Sequence, residues 1–245
     1  MNFSSPNFSL IKKTALFANL DERELQEVLK NTQISNRKKG EILFFVEEKV
    51  LNFYVVLEGA VKIFIADEDG VETVLQIIGA GKFINDVFGD SFQASAQALT
   101  DCTILVIQAR QIREFLKKNL NLAENLLIET AEKNAELLSQ LTQIKLTNSK
   151  QKVGQFLLGR AFEKNSSKSK NIELQCEKSV VASYLGINPE TLSRNLQKLK
   201  NDGEIAVEKN KITLLKDHSL CSYCDSKIAT KCDQRGAGFC VQKYW

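Results

Sequence analysis

The chain has 245 residues, of which 43% are hydrophobic and 26% charged, with a formal net charge of +3. That length allows two compact domains. Its apolar runs, such as "VLNFYVVL" and "TILVI", are of strand length and far too short to cross a bilayer. The start, "MNFSSPNFSLIKKTALF", has no basic segment followed by an apolar one, so a cytoplasmic chain without a secretory leader is expected.

The first region, 1–108, opens with a short helical pattern, "DERELQEVLK", for which Asp21 is the expected N-cap. From about residue 37 to 108 it reads as short β-rich runs divided at Gly59, Gly70, Gly79 and Gly81. Asp69-Gly70 between two apolar runs is a hairpin signal, and strands this short suggest a small β-barrel or roll. Residues 109–147 then lack Gly and Pro and are rich in Leu, Ala, Glu, Lys and Gln, which predicts one long helix. Leu120, Leu127, Ala131, Leu138 and Leu141 form a near-heptad line that includes Asn134. Either the barrel covers this narrow stripe or a second copy of the helix does, and the spacing favours a homodimer.

The region 148–217 begins with the amphipathic pattern "SKQKVGQFLLGRAF". A short helix over 178–184, a turn at Gly186 and a second helix capped by Asn188 with Pro189 at its first position follow. Leu192, Leu196 and Leu199 make the buried stripe of that second helix. Glu190, Ser193 and Arg194 project together from its opposite side, near its N-terminus. "EIAVEKNKITLL" then reads as two strands around a polar turn, completing a winged helix-turn-helix. Charge follows the same division: 16 Lys/Arg against 20 Asp/Glu in 1–147, but 13 against 8 in 148–217. An acidic front and a basic back suit a sensor joined to a nucleic-acid binder.

The N-terminal end of such a second helix reaches base edges in the major groove. Arginine matches guanine O6 and N7 with two donors, glutamate accepts from the cytosine amino group, and Ser193 can reach a base or a phosphate. A surface Glu190–Arg194 pair is the competing explanation, and it is set aside by the glycine turn before the helix and the basic wing behind it.

"YLGINPETLSRNLQKLKNDGEIAVEKNKITL" resembles the DNA-binding segment of the CRP/FNR regulators, and "LFANLDEREL", "GEILF", "VLEGAVKIF" and "SFQASAQALTDCTILVI" resemble their sensor barrel. The likeness runs in order through most of residues 15–216. It implies an α+β chain: an N-terminal cyclic-nucleotide-binding-like β-roll, a long dimerisation helix and a C-terminal winged helix-turn-helix. It also implies a homodimer that binds double-stranded DNA and works with RNA polymerase. "ETLSR" matches the FNR branch, which implies an inverted repeat of half-sites like TTGAT with Glu190, Ser193 and Arg194 as the base-reading set. Relatives that bind a cyclic nucleotide hold its phosphate with an arginine. No arginine lies between Arg37 and Arg110 here, and "INDVFGD" stands where the family has Gly-Glu, so a cyclic nucleotide is not the expected effector. Lys62 and Lys82 remain as possible phosphate partners. The cysteines that hold the cluster of FNR itself have no counterparts, since no cysteine precedes Cys102, and Cys102 and Cys176 read as core residues.

The last region, 218–245, holds Cys221, Cys224, Cys232 and Cys240, four of the six cysteines. In a reducing compartment such clustering points to a metal or redox site rather than to structural disulfides. The Cys-x2-Cys-x7-Cys-x7-Cys spacing suits tetrahedral zinc, a [4Fe–4S] or a [2Fe–2S] cluster, with thiol–disulfide switching a third possibility. Gly236 and Gly238 give backbone freedom between these ligands, and Lys227, Lys231 and Arg235 offset their charge. His218 reads as a surface residue. A sensor barrel without a nucleotide clamp or cluster ligands of its own needs an input, and some members of the family place cluster cysteines at the C-terminus. Both considerations favour iron–sulfur, [4Fe–4S] ahead of [2Fe–2S], over Zn2+. No cofactor loop or catalytic constellation accompanies the cysteines, so an enzyme is not expected.

Overall fold

The computed structural model describes residues 6–84, 88–146, 148–162, 169–174, 176–216, 218–225, 228–229 and 232, without the side chains of 6–7, 139–140 and 142–146. The chain divides into two compact units, Met1–Ser139 and Gln140–Trp245. Among the described residues no helix is long and apolar enough to cross a membrane.

The first unit opens with α1 (Pro6–Lys12), a 3-10 turn (Ala15–Phe17) and α2 (Glu22–Leu29). Asp21 caps α2 as its position suggests. Its carboxylate accepts from the Glu24 N–H, and the Glu24 side chain accepts from the Asp21 N–H, both at 2.8 Å. Eight strands follow: β1 (Gln33–Arg37), β2 (Ile42–Phe44), β3 (Asn52–Glu58), β4 (Ala60–Ala66), β5 (Glu72–Gly79), β6 (Phe83–Ile84), β7 (Ser95–Ala98) and β8 (Cys102–Gln108). They form two antiparallel sheets, ordered β1-β8-β3-β6 and β2-β7-β4-β5. Phe53, Val55, Val56, Val61, Ile104, Leu105 and Ile107 are essentially inaccessible among them. Gly59, at φ 85°, makes the turn from β3 to β4, where a side chain would collide with Cys102 Sγ and Thr100 Oγ1. The β4–β5 turn is organised by Asp67 rather than Asp69: its carboxylate accepts from the N–H groups of Asp69 and Val71 at 3.1 and 2.8 Å.

The long helix is interrupted. It runs as α3 (Ala109–Lys118) and α4 (Leu120–Leu146), broken at Asn119, whose backbone is extended at φ −116°, ψ 106°. Asparagine competes for backbone hydrogen bonds, and here it starts the second helix. Its Oδ1 accepts from the Leu122 N–H at 2.8 Å, and its Nδ2 donates to Glu24 Oε1 at 2.6 Å, tying the break to the N-terminus of α2. Leu122 and Leu126 of α4 are buried in the core of the first unit. The near-heptad line lies on a different side: Leu120, Leu127, Leu138 and Leu141 are 55–81% exposed, with Ala131 and Asn134 also exposed. The barrel therefore covers one face of α4 and leaves the predicted stripe uncovered.

The second unit contains α5 (Ser149–Ala161), β9 (Asn171–Glu173), α6 (Lys178–Tyr184), α7 (Pro189–Asn201), β10 (Ile205–Glu208) and β11 (Lys211–Leu214). Asn148 and Gln151 form a capping box at the start of α5. The predicted two-stranded wing is part of a three-stranded antiparallel sheet, β10-β11-β9. Val153, Leu157, Val181, Ala182, Leu192, Leu196, Leu199, Ile205 and Ile212 close the core of this unit.

Candidate nucleic-acid interface and cysteine tail

The turn between α6 and α7 is a Schellman closure. The Gly186 N–H donates to the Ser183 carbonyl and the Ile187 N–H to the Ala182 carbonyl, both at 3.0 Å, with Gly186 at φ 61°. Only glycine adopts that backbone without strain, so the sharp re-entry into α7 depends on it. Asn188 occupies the N-cap position with an extended backbone, but its side chain makes no capping bond, and Pro189 supplies the pre-set first turn.

On α7 the buried line of Leu192, Leu196 and Leu199 turns Glu190, Ser193 and Arg194 outward, and all three are exposed. The Arg194 guanidinium donates to Thr191 Oγ1 at 3.2 Å rather than pairing with Glu190. Gln197, a further turn along the same face, is exposed and donates from Nε2 to Asn201 Oδ1 at 2.8 Å. It was legible as the position seven residues after Glu190 but was not selected from the sequence. Lys178, Ser193, Gln197, Lys200 and Val207 line one groove between α6, α7 and β10. Two ammonium groups, a hydroxyl and an amide in such a groove can hold a phosphate.

The barrel offers no comparable cationic site among its described residues. Lys62 is buried on β4, ion-paired with Glu72, and its ammonium lies 4.4 Å from the centre of the Phe64 ring. Lys82 reaches Glu129 Oε2 at 2.7 Å and Glu132 Oε2 at 3.7 Å, on α4. Both lysines considered as phosphate partners are thus committed to carboxylates. Cys102 is a core residue whose thiol donates to the carbonyls of Ala60 and Thr100 at 3.2 and 3.1 Å. Cys176 packs partly buried against the core of the second unit, and burial pushes its thiol above the usual cysteine range.

The first part of the tail is seated on the DNA-binding unit. Leu220, left-handed at φ 64°, is fully buried, and its N–H donates to Glu204 Oε2 at 2.7 Å. One 3-10 turn, Cys221–Tyr223, follows, and the Cys224 N–H donates to the Cys221 carbonyl at 3.1 Å. Ile228 and Ala229 are buried, and Tyr223, Cys224 and Cys232 pack partly buried on the same core. His218 is exposed, as anticipated, and its carbonyl accepts from the Cys221 N–H. The donor chemistry, with two thiols on one tight turn, fits a sulfur-ligated centre. Among the described residues no three His, Cys, Asp or Glu side chains form a group that could hold a metal ion. Cys240, with Lys227, Lys231, Arg235, Gly236 and Gly238, lies outside the described residues.

The family model of the cyclic nucleotide-binding domain matches residues 35–119, and that of the Crp-like helix-turn-helix domain matches residues 151–223. The chain is 25% identical over 207 residues to the nitrogen fixation regulation protein FixK of Bradyrhizobium diazoefficiens, across 84% of this chain and 87% of that one. It is 24% identical over 209 residues to the fumarate and nitrate reduction regulatory protein of Escherichia coli strain K12, across 82% of each. Among solved structures, FixK2 from Bradyrhizobium japonicum shares the fold with a TM-score of 0.73 at 19% identity, over 80% of this chain and 98% of that one. A CooA mutant from Carboxydothermus hydrogenoformans does so with a TM-score of 0.70 at 21% identity, over 84% of this chain and 96% of that one. With a cyclic nucleotide-binding-type domain, a long helix and a helix-turn-helix in the family's order, the chain belongs to the CRP/FNR family of DNA-binding transcription regulators.

Proposed function

We propose that this regulator binds an FNR-like inverted repeat as a cytoplasmic homodimer, works with RNA polymerase, and senses oxygen, nitric oxide or redox state through an iron–sulfur cluster, [4Fe–4S] in preference to [2Fe–2S]. The observation that carries the DNA reading is the outward presentation of Glu190, Ser193 and Arg194 on α7. Glu190 and Arg194 read base edges, and Ser193, lining the groove with Lys178 and Lys200, belongs with the phosphate contacts. Support for the homodimer comes from Leu120, Leu127 and Leu141, which α4 leaves in water at 81%, 70% and 55% exposure.

Cys221, Cys224, Cys232 and Cys240 would hold the cluster. Bound there, it supplies an oxidant-sensitive centre directly behind the wing. The barrel supports the cluster reading by what it has already spent: Lys62 and Lys82 are engaged by Glu72 and Glu129, which argues against a cyclic nucleotide as effector.

The burial of Leu220 and Ile228 in the DNA-binding unit favours a second reading, in which a small molecule acts on the barrel and the tail is a structural Zn2+ clip. Anaerobic purification followed by iron, sulfide and zinc analysis separates the two. Iron and sulfide in a brown protein that bleaches in air are expected. A colourless protein with one zinc per chain, and DNA affinity indifferent to air, would transfer the assignment to the second reading.

A further inference from the structure

Tyr223 lies between Cys221 and Cys224, and its ring rests on Gly154 in the middle of α5. A methyl group at residue 154 would stand 2.5 and 2.8 Å from ring carbons Cδ2 and Cδ1. Glycine is the poorest helix former after proline, and α5 carries two. Gly159 would have open space around a methyl group, whereas at Gly154 the missing side chain is the seat of the ring. Around this seat the tail is joined to the end of the DNA-reading helix. Asp202, the C-cap of α7, pairs with Lys150 of α5 at 2.7 Å, and this pairing, with a smaller contribution from the Tyr223 hydroxyl, holds the Lys150 ammonium above its ordinary pKa. Two residues further, Glu204 accepts the Leu220 N–H. Beyond the pair, Asp225 Oδ1 accepts the Ile228 N–H at 2.7 Å, and Ile228 is buried.

We infer that Tyr223 on Gly154 is a pin that couples the Cys221/Cys224 thiol pair to the placement of α7, so that events at these thiols and occupancy of DNA bias one another. The inference rests on α7 being the DNA-reading helix, but it does not need a metal. Cys221 and Cys224 flank the ring within a single turn, so drawing both sulfurs to one centre, by metal ligation or a disulfide, re-forms the turn that seats Tyr223. A ring that leaves Gly154 withdraws its hydroxyl from Lys150, the partner of Asp202 at the C-cap of α7, and pulls on the short segment whose Leu220 N–H is held by Glu204. Coupling of this kind is reciprocal: DNA that requires the seated arrangement must protect the thiols.

The test uses the full chain, reduced and metal-free, with N-ethylmaleimide as the probe and each cysteine followed by peptide mass spectrometry. In the wild-type protein, a duplex carrying the inverted repeat should slow alkylation of Cys221 and Cys224 several-fold and leave Cys176 unchanged. Gly154→Ala and Tyr223→Ala should each raise the DNA-free rates at Cys221 and Cys224, abolish the protection by DNA, and weaken specific binding about five- to tenfold. Melting curves verify that each variant is folded. Should Gly154→Ala not fold, Tyr223→Ala and the wild-type protection measurement decide alone. Unchanged rates in a folded variant, or faster alkylation with unaltered DNA affinity, would overturn the pin. Absence of iron and zinc from the purified protein would remove the cluster reading and leave this metal-free result standing.

Discussion

The barrel and the outer face of α7 dispose of their charged side chains in opposite ways. In the barrel, Lys62 is buried against Glu72 and the Phe64 ring, Lys82 spans to Glu129, and Lys38 donates to Asp101 at 2.7 Å. On α7, the side chains of Glu190, Ser193, Arg194 and Gln197 stand in solvent, and Arg194 and Gln197 hydrogen-bond to Thr191 and Asn201 of the same helix. A lysine already paired in a low-dielectric wall must be separated from its carboxylate before it can meet a ligand. An exposed arginine with one local hydroxyl contact loses only that contact and some rotamer freedom. On the proposed reading, the same residue types therefore serve as scaffold in one unit and as recognition surface in the other.

Replacing a residue on each side tests this contrast. Arg194→Ala should weaken binding to the inverted repeat by about 1–3 kcal/mol and relax discrimination at one base pair, with little loss on random duplex. Competition titrations on both DNAs read this out, and equal loss on the two would return Arg194 to the scaffold class. In the barrel, Glu72→Ala leaves the buried Lys62 ammonium without its carboxylate and should cost about 1–3 kcal/mol of stability in denaturant titration. Because Glu72 is itself 40% exposed, the lower part of that range is expected. Adding Lys62→Met should recover most of the loss, since an apolar side chain of similar length suits a site that is 5% exposed. If the double variant were no more stable than Glu72→Ala alone, Lys62 would owe its place to something other than this pair.

Much of this was legible in the sequence, because the relevant signals are local. Gly186, Pro189 and the Leu192/Leu196/Leu199 line determine the helix-turn-helix within a few residues, and the structure sets α6 and α7 where they indicate. Asp21 capped its helix for the same reason. The break at Asn119 was missed because an asparagine amid good helix formers carries a small propensity cost; what decides it is a partner 95 residues away, Glu24. The third wing strand, β9, escaped notice because three residues give too short a pattern to distinguish from loop. The seating of Tyr223 on Gly154 was equally hidden. A lone tyrosine in a cysteine-rich tail gives no sign of its partner, and a glycine within a helix reads only as a weak position. Distant pairing, rather than weak propensity, separates what could be read from what could not.

The smallest effect concerns the boundary of the recognition surface. Lys178 and Lys200 flank the groove that contains Ser193 and Gln197, but they carry no base-reading geometry of their own; each is an ammonium on a flexible stem. Their contribution should therefore be counterion release. Lys200→Ala should lower affinity for the inverted repeat and for random duplex alike, and reduce the slope of log K against log salt by about 1.8 per homodimer, one phosphate contact being lost from each protomer. Lys178→Ala should do the same; because both ammonium groups line the one groove, the double variant should lose less slope than the two single losses summed if they share one phosphate there, and the full sum if each meets its own. Titrations across a salt series, on both DNAs, give the slope directly. A change in base discrimination without a change in slope would move Lys200 to the base-reading set, and would place the edge of that set nearly two turns further along α7 than Glu190 and Arg194 define.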